Sequence, residues 1–325
     1  MAPAAQAEAT VWSCRKRRRL EKASSVSGIT NGNVFHMIGV NGAANIEEEE
    51  EGKGLQDLQA VVVNLDRRPD RMRRCAALLR VHCPWLRYLR MAASDGRRDV
   101  ISTAWVSSSW DTTRNTAYQI LRSKRKGWND LDSYRACTLE MSPGERGCAL
   151  SHVRAWRLCT ELAGGSGRPL LVLEDDAKPT REFTRILRRA MAALPADADL
   201  LYLGYSQAAD WRREVSPELV ESEYVWTTVA YVVWPRGAAK LLSRCPVDQP
   251  VDNWMALACA DDAVKAYCVR PKIVHQADAW NVNSDVHHSD EHYWGASASS
   301  DIQHSDARML GLGSDISHSD ERYWR

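Results

Sequence analysis

The stretch SPGERGCALSHVRAWRLCTELAGGSGRPLLVLEDD, residues 142–176, decides the fold. Its first part places Ser142, Pro143 and Glu145 as a capping box, and Gly164 supplies a stop. Between them one face runs through Cys148, His152, Trp156, Cys159 and Ala163, at helical spacing. A glycine-rich turn follows, then PLLVLEDD, an unbroken apolar run of the kind buried on both faces of a sheet. A helix feeding a buried strand is one unit of an α/β layered fold.

The same alternation extends outward. QAVVVNL, from Gln59, is a second buried-strand pattern ending at Asn64 and Leu65, and RRPDRMRRCAALLRV continues as a helix. Met72, Cys75, Ala76 and Leu79 share one face of that helix, and Pro69 suits its first turn. Downstream, TREFTRILRRAMAALP reads as helix, DLLYLGYS and YVWTTVAYVVW as strands, PRGAAKLLSRC and VDNWMALACADD as helices, and VKAYCVR as a last short strand. The expected fold is α/β: one domain with a mostly parallel central sheet flanked by helices, its ligands beyond the carboxyl ends of the strands.

Domain limits follow from composition. Residues 1–58 are polar, with CRKRRRL and IEEEEEGKG runs, and are expected as a disordered tail; the domain is placed at 59–286. Residues 287–325 are expected as a low-complexity tail. SDVHHSD, SDIQHSD and SDISHSD, beginning at Ser284, Ser300 and Ser314, are repeats too short to bury a core, and the first copy abuts the domain. Their histidines, His288, His304 and His318, are candidate ligands for a borderline cation or plain tail.

Whole-chain charge excludes little but points away from some partners. With 43 Lys and Arg against 42 Asp and Glu in 325 residues, no general field favours nucleic acid or an anionic membrane. Nine cysteines without metal-like spacing suit reduced core thiols. No apolar run precedes the basic cluster near the start and none reaches the length of a bilayer span, so neither a signal peptide nor a transmembrane segment is expected. A cytoplasmic site is therefore expected, with an endomembrane lumen the alternative if the native N-terminus lies elsewhere.

Glu174, Asp175 and Asp176 pose the chemical question. Carboxylates about 4 Å apart repel by roughly 4 kcal/mol at an effective dielectric of 20, so something must offset them. In extended chain Glu174 and Asp176 point to one face and Asp175 to the other. Two carboxylates then converge on a hard cation such as Mn²⁺ or Mg²⁺ with a phosphate ligand, or the acids form a solvated turn capping a helix near Thr180.

ERGCALSHVRAW with LLVLEDDAKP, preceded by VVVNLDRRPDR and followed by YVVWPRGAAKLL and PVDNWM, resembles glycosyltransferase family 25, the lipopolysaccharide-type and procollagen galactosyltransferase-like family. The resemblance covers roughly residues 59–286. It implies a GT-A-like fold and transfer of a hexose, galactose favoured, from a UDP-sugar to an acceptor hydroxyl on a glycan or protein. It also implies a manganese-like cation on Glu174, Asp175 and Asp176, with His275 completing the shell.

Residue by residue, the resemblance puts Asn64, Arg67 and Arg71 beside nucleotide phosphate or ribose. The two arginines have an alternative as ion pairs to Asp66 and Asp70 at the helix start. Asp95 and Gly96 match the family's element near base and ribose, or form a plain turn. Ser151 and His152 face the donor pocket in the family, whereas periodicity alone makes His152 a core residue under Trp156. Asp252 matches the acceptor-side carboxylate, a general base with His152 in the catalytic set, and otherwise reads as an N-cap. The family implies inversion at the anomeric carbon. The alternative function is a catalytically inactive GT-A-like module that binds nucleotide or sugar.

Overall fold

Strand β3 (Gln59–Asn64) is buried from Ala60 onward because both faces of its sheet are covered. The computed structural model describes residues 25–30, 33–38, 55, 58–125, 136–163, 167–277 and 284–289. Most of the expected tails, 1–58 and 287–325, lies outside these residues.

The alternation of side chains along each central strand splits the core in two. Val61 and Val63 of β3 join one apolar cluster, Ala60 and Val62 the other. In β7 (Leu170–Glu174), Leu170 and Val172 face the first, Leu171 and Leu173 the second. This period of two is what a strand buried on both sides requires. Helices α1 (Pro69–His82) and α4 (Phe183–Ala193) cover one face through Met72, Cys75, Leu79, Phe183 and Leu187. Helices α3 (Pro143–Ala163), α5 (Pro235–Ser243) and α6 (Val251–Ala260) cover the other through Val153, Trp156, Leu241 and Met255. The expected α/β layering, a central sheet flanked by helices, is what the chain adopts.

Among the described residues the central sheet has ten strands, in the order β1-β2-β4-β3-β7-β12-β9-β13-β11-β10. β3 runs parallel to β4 (Tyr88–Ala92) and to β7, and β9 (Leu200–Gln207) runs parallel to β13 (Ala266–Val269). Between these parallel groups β12 (Val225–Val233) is inserted antiparallel to both β7 and β9. At the edges, β1 (Ser25–Thr30) and β2 (Asn33–Ile38) extend the sheet beside β4, and β11 (Leu219–Glu221) and β10 (Arg213–Ser216) extend it beside β13. The stretch 97–140 holds β5 (Ser109–Asp111), α2 (Thr113–Arg125) and β6 (Thr138–Glu140), the two strands pairing with each other. A ribbon of β8 (Ala177–Pro179) and β14 (Val274–Gln276) leads away from the acids at the end of β7.

Among the described residues no helix is long and apolar enough to cross a membrane. The eight described cysteines form no disulfide, and Cys75, Cys83, Cys159, Cys259 and Cys268 are buried.

Candidate functional site

The carboxyl ends of β3, β4 and β7 meet the first turns of α3 and α6 around a cavity of about 210 Å³. Its lining includes Arg67, Arg71, Asp95, Gly96, Ser151, His152, Glu174, Asp175, Asp176 and Asp252. Residues read separately along the sequence thus come together in one place.

Two glycines make the approach possible. The capping box forms as expected: Ser142 N donates to Glu145 Oε2 at 2.7 Å and Glu145 N to Ser142 Oγ at 3.1 Å. The turn after β4 then presses onto this first helical turn. A Cβ on Gly96 would lie 1.7 Å from Pro143 O, and one on Gly147 would lie 2.6 Å from Ser94 O. Ser151 Oγ accepts from Ser94 N at 2.9 Å and donates to Gly147 O at 2.7 Å, pinning the same contact. Ser151 therefore shapes the wall carrying Asp95 and Gly96.

The three acids have different partners. Asp175 is buried, accepts from Asn64 Nδ2 at 2.6 Å and lies 2.8 Å from Arg71 Nε. Asn64, expected beside a nucleotide, is itself 1 % exposed and also donates to Arg68 O, so it anchors the turn. Asp176 Oδ2 is 2.9 Å from Arg71 Nη2, while its Oδ1 is buried with no hydrogen-bond partner. Burial and the neighbouring Glu174 charge push the Asp176 carboxyl up to about 7, against the pull of Arg71. Burial raises Asp175 too, partly offset by Arg71 and Asn64.

Glu174 behaves oppositely. Burial pushes its pKa up, yet bonds from His152 and Thr228 and the charge of Arg71 bring it below the usual carboxylate range. Thr228 Oγ1 donates to Glu174 Oε1 at 2.5 Å, and His152 Nε2 lies 3.3 Å from the same oxygen. On its other side His152 Nδ1 is 2.8 Å from Tyr231 Oη, which accepts from Trp156 Nε1 at 3.0 Å. An indole only donates, so the Tyr231 proton is left for His152 Nδ1, and a neutral imidazole then carries its proton on Nε2, toward Glu174. At 1 % exposure, His152 is at once the core residue that periodicity indicates and a neighbour of the acidic tip.

Sequence reasoning missed Thr228. It sits in a bulge of β12 between Trp226 and Ala230, where Thr227 adopts a φ of 74°. A β-branched residue in the left-handed region is strained, and the bulge re-aims the next side chain at Glu174. In the sequence Cys148 shows only as part of an apolar face, yet its Sγ, a ring nitrogen of His152 and a Glu174 oxygen all lie within 4.8 Å of one another. Burial and the charges of Glu174, Asp252 and Asp176 raise the Cys148 thiol well above its ordinary pKa.

The arginines take neither of the expected local pairs. Arg67 Nε meets Asp95 at 2.8 Å and its Nη1 meets Asp285, while Arg71 bridges Asp175 and Asp176. Asp66 and Asp70 are paired instead with Arg90 and Arg68. Asp252 is the second residue of α6, inside its first turn, with Pro250 at the N-cap position. Its Oδ1 accepts from Asn253 N at 2.9 Å, and Asn253 Oδ1 accepts from Trp226 Nε1 at 3.1 Å. His275 pairs with Lys178 across the β8–β14 ribbon and is not among the residues lining the cavity, whereas Gln276 is.

The cavity thus offers a carboxylate oxygen without a partner, a cluster of acids bridged by Arg71, the guanidinium of Arg67 on its wall and a separate carboxylate at a helix start. An orphaned oxygen on Asp176 beside the held Glu174 fits a hard divalent cation, with Asp175 committed to the fold.

Comparison with known proteins agrees with the resemblance read from the motifs. Residues 59–219 match the family model described as Glycosyltransferase family 25 (LPS biosynthesis protein). The human "Inactive glycosyltransferase 25 family member 3" is 33 % identical over 207 residues, 61 % of this chain and 31 % of that protein. "Procollagen galactosyltransferase 1" of Danio rerio is 32 % identical over 136 residues, 39 % of this chain and 22 % of that protein. "Procollagen galactosyltransferase 2" of Mus musculus is 30 % identical over 158 residues, 45 % of this chain and 25 % of that protein. The chain spans less than a third of the length of each of these relatives.

Proposed function

On the premise that residues 59–219 are a segment of glycosyltransferase family 25, we propose that the chain moves a hexose, galactose favoured, from a UDP-sugar to an acceptor hydroxyl. The acceptor class is a glycan or a protein. The observation that carries this reading is the convergence of Glu174, Asp176, Arg67, Arg71, Asp95 and Asp252 on one cavity.

Each residue has a task the geometry suits. Arg67, oriented by Asp95, presents its guanidinium to ribose or phosphate, and Arg71 ties the acidic turn to the same wall. Glu174 and Asp176 would hold Mn²⁺ or Mg²⁺, with Asp175 anchored to Asn64 as the structural member. When bound, such a cation offsets the negative charge gathering on a departing nucleoside diphosphate. His152 and Thr228 keep the Glu174 carboxylate ionised and oriented. Asp252 accepts the proton of the acceptor hydroxyl as its oxygen bonds to the anomeric carbon and the bond to the diphosphate breaks. At about 210 Å³ the cavity is smaller than the roughly 300–1,000 Å³ of sites that enclose a drug-sized ligand, so a nucleotide-sugar fits only partly enclosed.

The test is donor hydrolysis or transfer from a panel of UDP-sugars with and without Mn²⁺. Asp176→Ala should abolish turnover and its cation dependence; an unaltered variant refutes the assignment. A second reading, a silent nucleotide-binding module, is favoured by the human relative being named inactive. UDP binding by calorimetry with no turnover on any donor or acceptor would select it.

A further inference from the structure

The first Ser-Asp-x-x-His-Ser-Asp copy does not hang free of the domain. Asp285 accepts from Arg67 Nη1 and Arg68 Nη1, and its Oδ2 is 3.8 Å from Arg71 Nη1. The bonds from Arg67 and Arg68 hold its carboxyl below the ordinary range despite burial. Ser284, Asp285, Val286 and His288 all line the cavity.

We propose that Asp285 is a positioning residue of the donor pocket and that segment 284–289 is a built wall of it. This rests on the nucleotide-sugar reading above. Arg67 is held at two points, Nε by Asp95 and Nη1 by Asp285. Arg68 is held likewise by Asp70 and Asp285. A guanidinium fixed in its plane has little freedom left to lose when an anion arrives, so Asp285 pre-organises the pocket's arginine.

The contrary possibility is that Asp285 is a plug, mimicking phosphate and leaving when ligand binds. The seating of the segment speaks against it. Ser142 Oγ donates to His287 O, and both N and Oγ of Ser289 donate to Glu145 Oε1, at 2.9 and 3.1 Å. Gly144 admits the strap so closely that a Cβ there would lie 2.9 Å from Asp285 O. With the strap seated Glu145 is 2 % exposed, and lifting it breaks both bonds from Ser289 to that carboxylate as well as the bond from Ser142 to His287 O. A wall is therefore cheaper to keep than to open.

The test uses the full chain and UDP with Mn²⁺ as the probe. Asp285→Asn should weaken UDP affinity about tenfold by calorimetry at a temperature where the variant remains folded, and Asp285→Glu should recover most of it. Asp301→Asn and Asp315→Asn, at the same place in the second and third copies, should leave affinity unchanged. Tighter binding by Asp285→Asn makes Asp285 a plug, and unaltered binding removes its role; either overturns the proposal, as does an effect of Asp301→Asn equal to that of Asp285→Asn. A wild-type chain that binds no UDP defeats the nucleotide-sugar reading instead. The wall is then judged by phenylglyoxal modification of Arg67 and Arg68, which must rise in Asp285→Asn for it to stand.

Discussion

Thr228 Oγ1 lies 2.5 Å from Glu174 Oε1, so a hydroxyl from the bulged part of β12 holds the carboxylate that ends β7. Thr228→Val keeps the shape and removes the donor. Glu174 then drifts toward an ordinary carboxylate pKa and loses its orientation. A hydrogen bond to a charged group is worth about 1.5–3 kcal/mol, so donor turnover in limiting Mn²⁺ should fall at least about tenfold. Thr228→Ser should restore it. Equal Mn²⁺ titrations of activity for wild type and Thr228→Val would dismiss the bond's importance.

The Asp176 carboxyl titrates at about 7 in the folded chain, above its ordinary value of 3.8. The folded chain therefore holds this proton more tightly than the unfolded one, and the associated stability is complete below about pH 4 and lost as pH rises through about 7. The metal-free wild type should lose melting temperature across that window relative to Asp176→Asn. Mn²⁺ affinity should rise over the same interval, since the cation needs the ionised carboxylate. Melting profiles of the two chains that run parallel from pH 4 to 8 would falsify this.

Asp252 sits in the first turn of α6, with a polar link through Asn253 to Trp226. Asp252→Asn preserves size and the helix start but cannot accept the acceptor's proton. Its kcat should drop about 10²–10⁴-fold while UDP affinity stays put. Loss of UDP binding in parallel with kcat would move Asp252 to the donor side.

Gly96 has no room for a side chain, because its Cβ would meet the Pro143 carbonyl at 1.7 Å. Backbone must move to admit even alanine, so Gly96→Ala should cost about 3 kcal/mol or more. Thermal or urea unfolding reads this directly. A melting temperature equal to wild type would mean that the turn and α3 do not press together as described.

Much of the fold was legible because burial on both faces leaves a plain mark. The runs AVVVN and LLVLE, each followed by an amphipathic helix, point to β3, α1, β7 and α4, and the capping box marks the start of α3. The direction of β12 was not legible, since nothing local in a strand records which way its neighbours run. Its bulge was hidden too: threonine at a φ of 74° contradicts the usual residue preferences, so Thr227 announces no turn. At the site, the acids, Arg67, Arg71 and Asp252 could be named from the motifs, but not their partners. Arg71 bridges two acids more than a hundred residues downstream, and Asn64 spends its amide on one of them. Ser284 and Asp285 open a repeat whose pattern recurs at Ser300 and Ser314, and spacing alone does not show that the first copy packs on the domain.

Thr228 and Tyr231, which hold Glu174 and His152, stand on β12, after residue 219, where the family match ends. A gene copy could decay at these two positions and keep every diagnostic acid and arginine upstream. The upstream motifs alone therefore do not report whether Glu174 and His152 are held in place in this chain; Thr228 and Tyr231 of VWTTVAY do.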